Sequence, residues 1–257
     1  MTGLTLIRLQ PDMARLARWA RSSGLSDAAS DPGYALHAAA QAALGSLAPK
    51  PFALRQRAGV DELLGYTPAS TEHLARACAL DAHDPDAASA LRLHQMVAKA
   101  MPAGWRAGEC FSFEARVAPV VRSRAKAPGS YVEVDVAFHQ ADAGTQGDRV
   151  ASYEAWIRAQ LGRLGAAELL SHETVKFQLT DMVRRTQAAD SVRAVRDFGG
   201  GRTARRGLLP DLTVRGELRV ADGEAFAALL SRGLGRHRAF GFGCLLLAPP
   251  GAFHRRG

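Results

Sequence analysis

Cysteine is nearly absent from this chain. Cys78, Cys110 and Cys244 are all it has, odd in number and far apart. They exclude a disulfide framework and suit buried thiols in a reducing cytoplasm. No Cys/His group has zinc-ligand spacing, and no carboxylates cluster as two-metal catalysis requires. Neither a metal nor another cofactor is therefore expected. Long apolar runs are missing too. The N-terminal LTLIRL is too short for a signal peptide or a membrane span and reads as a strand, so no membrane association is expected. Nucleotide-binding fingerprints are absent. The glycine-rich stretch GLGRHRAFGFG, Gly233 to Gly243, has Arg238 where a dinucleotide turn needs its third glycine. It also lacks the Gly-Lys-Ser/Thr of a P-loop.

Lysine is rare, so the basic groups are almost all arginine, and they are unevenly placed. The 257 residues include 33 Lys+Arg against 25 Asp+Glu, a net charge of +8. Residues 1–150 carry 16 basic against 15 acidic side chains, and residues 151–257 carry 17 against 10. Guanidinium forks match phosphate oxygens. A polyanion partner is therefore expected, gripped mainly by the C-terminal half. A genome that favours arginine explains the scarcity of lysine but not the concentration in one half. The 47% of hydrophobic residues supply a packed core for one large domain or two small ones.

Residues 4–9 alternate as a strand. Asp31 and Pro32 then open a helix as N-cap and first helical residue. Leu36, Ala40, Ala43 and Leu47 form its apolar stripe, and Tyr34, His37, Gln41 and Leu44 a second, more polar face. Residues 52–57 and 62–66 read as paired strands, 70–80 as a helix capped by Ser70 or Thr71, and 90–99 as strand or helix. This is the split βαβ order. It recurs, with strands at Phe111–Val117 and Val132–Phe138 and a helix at Ser152–Leu164. Strands at Val175–Met182 and Asp211–Val220, a helix at Gly223–Ser231 and a strand at Phe242–Ala248 complete it. The predicted class is α+β, two tandem ferredoxin-like (RRM-like, βαββαβ) domains. The break falls near Pro102–Gly108, giving residues 1–104 and 105–257.

Residues 184–206 stand apart. Arg184, Arg185, Arg193, Arg196, Arg202, Arg205 and Arg206 are opposed only by Asp190 and Asp197, around Gly199–Gly201. The stretch predicts a long, flexible basic hairpin tip that needs anionic company. Arg122, Arg124 and Lys126 form a smaller basic cluster. In the glycine-rich stretch, Gly233 and Gly235 allow sharp bends and close approach to a ligand, while Arg236, His237 and Arg238 add charge and donors.

The run LLSRGLGRHRAFGFGCLLLAP resembles the signature of CRISPR-associated endoribonucleases that process precursor CRISPR RNA. GYALH resembles the tyrosine–histidine helix of their CasE (Cse) branch, which serves the type I-E Cascade complex. FSFEARVAPVVRSR and RGELRV resemble further segments of that branch, and the likeness runs from residue 4 to residue 250. The resemblance implies metal-independent cleavage at the repeat stem-loop. The 2′-hydroxyl beside the scissile phosphate attacks in line, leaving 5′-hydroxyl and 2′,3′-cyclic phosphate (or 3′-phosphate) ends. It also implies partners: the CRISPR repeat RNA hairpin (crRNA), held after cleavage, and the other Cascade protein subunits, all cytoplasmic. A non-catalytic subunit that only binds the RNA hairpin is the alternative.

On this resemblance His37 is the catalytic acid or base, held neutral by the positive end of its helix. Tyr34, one turn earlier, donates to phosphate or stacks on a base. The RNA-binding set is Arg122, Arg124, Lys126, Arg184, Arg185, Arg193, Arg202, Arg205 and Arg206, with Gly233, Gly235, Arg236, His237 and Arg238 of the loop. His237 is a second catalytic candidate. The chain departs from the pattern once. Some relatives place a lysine about a turn beyond the histidine, whereas Ala38–Ala43 has only Gln41 as a polar residue. That role passes to Arg55, Arg57, Arg236 or Arg238, or to nothing.

Overall fold

Alternation of side chains builds the first sheet. Strand β1 (Thr5–Leu9) buries Thr5, Ile7 and Leu9 and leaves the intervening residues half-buried, as a pleated strand covered unequally on its two faces requires. It lies between β3 (Val60–Thr67) and β4 (Val97–Ala100), and β2 (Phe52–Arg57) pairs with β3, all antiparallel. Arg57 pairs with Val60, leaving Ala58 and Gly59 as a two-residue hairpin loop with positive φ at both positions, the geometry that matches strand twist. A computed structural model describes residues 3–25, 32–79, 83–124, 131–142, 148–187, 195–196 and 202–253.

Helices α1 (Met13–Ser22), α2 (Pro32–Leu44), α3 (Thr71–Ala79) and α4 (Pro85–Leu91) accompany this sheet. Ile7, Leu9 and Leu63 of the sheet pack with Leu16, Leu36, Ala40 and Leu91 of the helices. Alanine suits α2 for two reasons. It is the best helix former, and it lets neighbours approach on more than one side. Leu36, Ala40 and Ala43 of the expected stripe are buried, but so are Ala35, Ala39 and Leu44. Leu47 falls beyond the helix, in a 3-10 turn. Pro32 is the first helical residue; Asp31, its expected cap, lies outside the described residues. Ser70 caps α3 by accepting from the His73 amide at 3.2 Å.

The second sheet contains β5 (Cys110–Val117), β8 (Ala167–Gln187), β10 (Arg202–Val220) and β11 (Leu246–Ala248), in the order β11-β5-β10-β8. Numbered within its own unit, each sheet runs 4-1-3-2, the ferredoxin-like arrangement. Helices α6 (Arg149–Leu161) and α7 (Gly223–Arg232) are its crossovers, and Ile157, Leu161, Phe226 and Leu230 are buried against Val214 and Leu218. The outer face of the first sheet joins the same core through Ala53, Leu64 and Tyr66. The buried Tyr66 hydroxyl donates to the Leu245 carbonyl at 2.8 Å.

Several elements differ from expectation. Helix α1 was not foreseen, because its three arginines mask the buried Leu16, Trp19 and Ala20. Residues 90–99 divide into the end of α4, a 3-10 turn and β4. The strand expected over Val132–Phe138 stops at Asp135. Residues 131–135 form β7, which pairs with β6 (Val120–Arg124) in a separate ribbon, and α5 (Val136–Asp142) follows. Asp135 starts that helix by accepting from the Ala137 amide at 2.9 Å. The closing strand begins only at Leu246, with Phe242–Leu245 still in the loop. Strands β8 and β10 are far longer than expected. Residues Arg202–Asp211 of β10 pair with β8 beyond the end of β5, a projection of roughly 30 Å at strand rise. The basic segment is thus partly strand: Arg184 pairs with Arg205, and Gln187 with Arg202. A short β9 (Val195–Arg196) adds to β10 at Thr203 and Ala204. Residues 188–194 and 197–201, Arg193 among them, lie outside the described residues.

Asp211 holds the base of this ribbon. Its buried carboxylate accepts from Arg116 Nε at 2.9 Å and Nη2 at 2.7 Å, from Gln178 at 2.7 Å and from Thr180 at 2.8 Å. Burial alone would raise its pKa, but Arg116 and these donors bring it below the usual carboxylate value. The folded pKa is depressed, so the stabilisation is present above the unfolded value and is lost as pH falls through the folded one. Asp211→Ala should cost about 3 kcal/mol at pH 7 by urea unfolding. The gap to wild type should narrow as the carboxyl protonates in acid. An undiminished gap in acid would show that the ion pair is not its source.

Candidate active site

The glycine-rich loop begins where α7 ends. Gly233 has φ +73, and its amide donates to the Leu229 carbonyl at 2.7 Å, closing the helix. The two ends of the loop then clasp each other. The Leu234 amide donates to the Gly243 carbonyl at 2.8 Å, and the Gly243 amide donates to the Arg116 carbonyl of β5 at 2.6 Å. There is no space for side chains at this neck. A Cβ on Gly243 would lie 2.2 Å from the Leu234 carbonyl oxygen, and one on Gly235 would lie 2.7 Å from the Trp156 ring. The close approach foreseen for Gly233 and Gly235 is therefore to the protein itself, at Gly243, Pro51 and Trp156. Gly235 is also fixed by its amide, which donates to Gln160 at 3.1 Å.

Between the glycines the chain turns onto α2. Residues Arg238–Phe240 make a 3-10 turn, entered through His237 at φ +61 and left through Gly241 at φ +82. The Phe240 ring stacks on Tyr34, with centroids 5.7 Å apart and planes 14° from parallel. Tyr34 and His37 share one face of α2, so this contact joins the two motifs.

His37 is half-buried, and its Nδ1 is buried with no hydrogen-bond partner among the described residues. Charging the ring would place a second N–H donor there without an acceptor. Burial lowers its pKa below the ordinary histidine value, and Lys50 lowers it further. The sequence pointed to the helix terminus; burial and Lys50 are causes it did not reveal.

Lys50 is the cation that sequence reasoning missed. It follows α2 by a few residues rather than by one turn, so helical spacing could not reveal it. It lines a cleft of about 440 Å³ together with Gln160, Arg163, Arg236, Arg238 and Phe240. His37 is not among the lining residues; its neighbours Lys50 and Phe240's partner Tyr34 connect it to the cleft. Arg163 and Arg232 were missed as well. Burial, then Arg163 and Arg238, lowers the pKa of Arg232, which accepts a hydrogen bond from Arg238 at its carbonyl at 2.5 Å. None of Lys50, Arg163, Arg232 and Arg238 has a carboxylate partner among the described residues.

Other candidates fare differently. Arg55 is bound through Nε at 3.1 Å and Nη2 at 3.0 Å to the buried Glu62. Arg236 meets Glu133 Oε1 at 2.6 Å, and the His237 ring, fully buried, meets Glu133 Oε2 at 2.9 Å. The His237 ring is thus packed on protein, although the residue is part of the cleft lining. Arg122 is exposed on β6, with Arg124 on the same strand; Lys126 lies outside the described residues. Arg184, Arg185, Arg202, Arg205 and Arg206 are on the β8–β10 ribbon. Among the described residues no three metal-ligating side chains are grouped, and no helix is long and apolar enough to cross a membrane.

Fold and site together define a protein of two ferredoxin-like units, with a cation-lined cleft where a loop of the second meets a helix of the first. The chain belongs to the CRISPR associated protein family, whose model matches residues 4–249. No curated protein matches the sequence significantly. Solved structures do match in fold. One is CRISPR endoribonuclease Cse3 bound to a 19-nucleotide RNA, with TM-score 0.59 and 18% identity over 96% of this chain and 100% of that one. Another is Thermus thermophilus Cse3 bound to an RNA representing a pre-cleavage complex, at 0.58 and 19% over 96% and 100%. A third is Cas6e from Escherichia coli K-12, at 0.54 and 17% over 95% and 99%.

The glycines can be tested in pairs. Gly243 and Gly251 share a positive φ, +75 and +73, but a Cβ meets nothing within 4 Å at Gly251. Gly251→Ala should cost about 1–2 kcal/mol from backbone conformation alone. Gly243→Ala should cost about 2 kcal/mol more, from the clash at the neck. Equal losses in calorimetry would mean that the neck is not tightly packed.

Proposed function

We propose that this chain is a metal-independent endoribonuclease. It cleaves precursor CRISPR RNA at the repeat stem-loop and stays bound to the crRNA 3′ hairpin as a Cascade subunit. The observation that carries this reading is the Tyr34–Phe240 stack, which brings the helix of His37 against the glycine-rich loop and its cleft. Family membership and the likeness to RNA-bound Cse3 structures support it.

Strand cleavage by a 2′-hydroxyl needs a base for that hydroxyl, an acid for the departing 5′-oxygen and cations for the phosphorane charge. His37, neutral because it is buried beside Lys50, takes the 2′-hydroxyl proton as the 2′-oxygen bonds to phosphorus. The departing 5′-oxygen takes a proton from solvent water as its bond to phosphorus breaks. Lys50 supplies positive charge at the reacting phosphate, the role that the family pattern gives to a lysine within the helix. Tyr34 orients the nucleotide. Arg163, Arg232 and Arg238, lacking carboxylate partners among the described residues, hold neighbouring phosphates. The ribbon of β8 and β10 lies along the RNA stem, its arginines on the phosphates. Backbone register pairs Arg184 with Arg205 on this ribbon. In this division of labour residues 1–104 carry the catalytic helix and residues 105–257 most of the RNA grip.

The test is single-turnover cleavage of a repeat hairpin RNA across pH. His37→Ala should bind the RNA as wild type does and cut about a hundredfold more slowly or worse. Lys50→Ala should cut more slowly, and its acid limb should move to higher pH. Removing the ammonium lets the His37 pKa rise towards its ordinary value, so a neutral ring requires a higher pH. An unmoved limb would exclude His37 as the base. A wild-type protein that binds tightly but never cuts would establish the passive subunit instead.

A further inference from the structure

We infer that Glu133 is a positioning residue for the reaction at His37, a reading that rests on the endoribonuclease activity proposed above. Glu133 stands on β7, paired in register with Arg122 of β6. The ribbon of β6 and β7 forms its own two-stranded sheet and completes neither ferredoxin-like unit. It nevertheless reaches the glycine-rich loop at two places. Val120 of β6 packs with Phe240, and Glu133 holds the two residues that lead into the 3-10 turn.

Each carboxylate oxygen has a separate task. Oε1 accepts a hydrogen bond from Arg236 Nε at 2.6 Å, and Oε2 lies 2.9 Å from His237 Nε2, at ion-pair distance but outside hydrogen-bond geometry. The carboxylate is 16% exposed and the His237 side chain 0%, so this pair is not an ordinary solvated one. His237 needs such a partner. A β-carbon residue at φ +61 is held in a sparsely populated conformation, which persists only when its surroundings over-determine it. The His237 carbonyl accepts from the Phe240 amide at 2.8 Å, closing the turn, and its ring meets Phe240 and Phe242 edge-on at 6.3 Å. Phe240 in turn stacks on Tyr34. A continuous line of contacts therefore runs from Glu133 through His237, Phe240 and Tyr34 to the helix of His37. Glu133 never touches the reacting atoms in this scheme. It sets where the loop sits on α2.

Glu133→Ala and His237→Ala, singly and combined, test this in the full chain. Cleavage of hairpin RNA under single turnover should fall at least tenfold in either single variant. The double variant should be no slower than the slower single one, because both break the same line. Affinity for a hairpin blocked by 2′-deoxy substitution at the cut should stay within threefold. Hydrogen exchange should quicken in residues 233–243 and in the first turns of α2, and not across the second sheet. Cleavage within twofold of wild type, or losses that multiply in the double variant, would overturn the inference. So would faster exchange throughout the fold, since it would make Glu133 merely structural. If wild-type protein does not cut, the activity reading fails and hydrogen exchange alone decides whether Glu133 seats the loop.

Discussion

The structure depends on an eleven-residue backbone packed too tightly to carry side chains at its neck. Residues 233–243 leave α7, clasp themselves through Leu234 and Gly243, and are tied to β5 by the Arg116 carbonyl. Trp156 and Gln160 fix one flank, Glu133 the other, and Tyr34 receives the tip. Close packing of this kind transmits position because neither partner can yield. The loop thereby sets the distance between a helix near residue 37 and a cleft built mainly from residues beyond 150.

Electrostatics divides the arginines into two kinds. Arg55, Arg116, Arg215, Arg219 and Arg236 each meet a carboxylate at 3.0 Å or less. Arg116 also lies over the Phe242 ring at 4.1 Å, so one guanidinium joins Asp211 of the ribbon to the loop. These arginines are part of the scaffold. Lys50, Arg163, Arg232 and Arg238 have no carboxylate partner among the described residues; the first two and Arg238 line one cleft, and Arg232 is close to Arg163 and Arg238. Like charges collected with few carboxylates among the described residues raise the energy of a protein, and a bound anion would lower it. Burial first, and then Lys50 of this group, disfavours protonation of His37.

Much of this was legible in the sequence, and the exceptions share a cause. The repeated strand and helix order was visible in part because Phe111–Val117 alternates and Pro32 marks the start of α2. The lengths of β8 and β10 were not, because the paired Arg184 and Arg205 resemble a solvated loop until register is known. Helix α1 was hidden by its arginines, although Trp19 donates to Asp84 at 2.9 Å and so ties it to the cap of α4. In the site, Tyr34, His37 and the glycines carried motif signals. Glu133 and Lys50 carried none. Glu133 acts on residues more than a hundred positions away, and Lys50 acts across the end of its own helix. No local pattern encodes contacts of that kind. His237 also carried a motif signal, but its burial on Glu133 was not readable from the sequence.

The central claim is that this assembly uses the substrate's own 2′-hydroxyl. The most direct measurement is cleavage in EDTA of two repeat hairpins that differ only by one 2′-deoxy nucleotide at the predicted cut. The account predicts that the all-ribose hairpin is cut, with a 2′,3′-cyclic phosphate or 3′-phosphate end, and that the deoxy hairpin is bound but intact. Cleavage of both would contradict it, because the nucleophile would then lie outside the ribose.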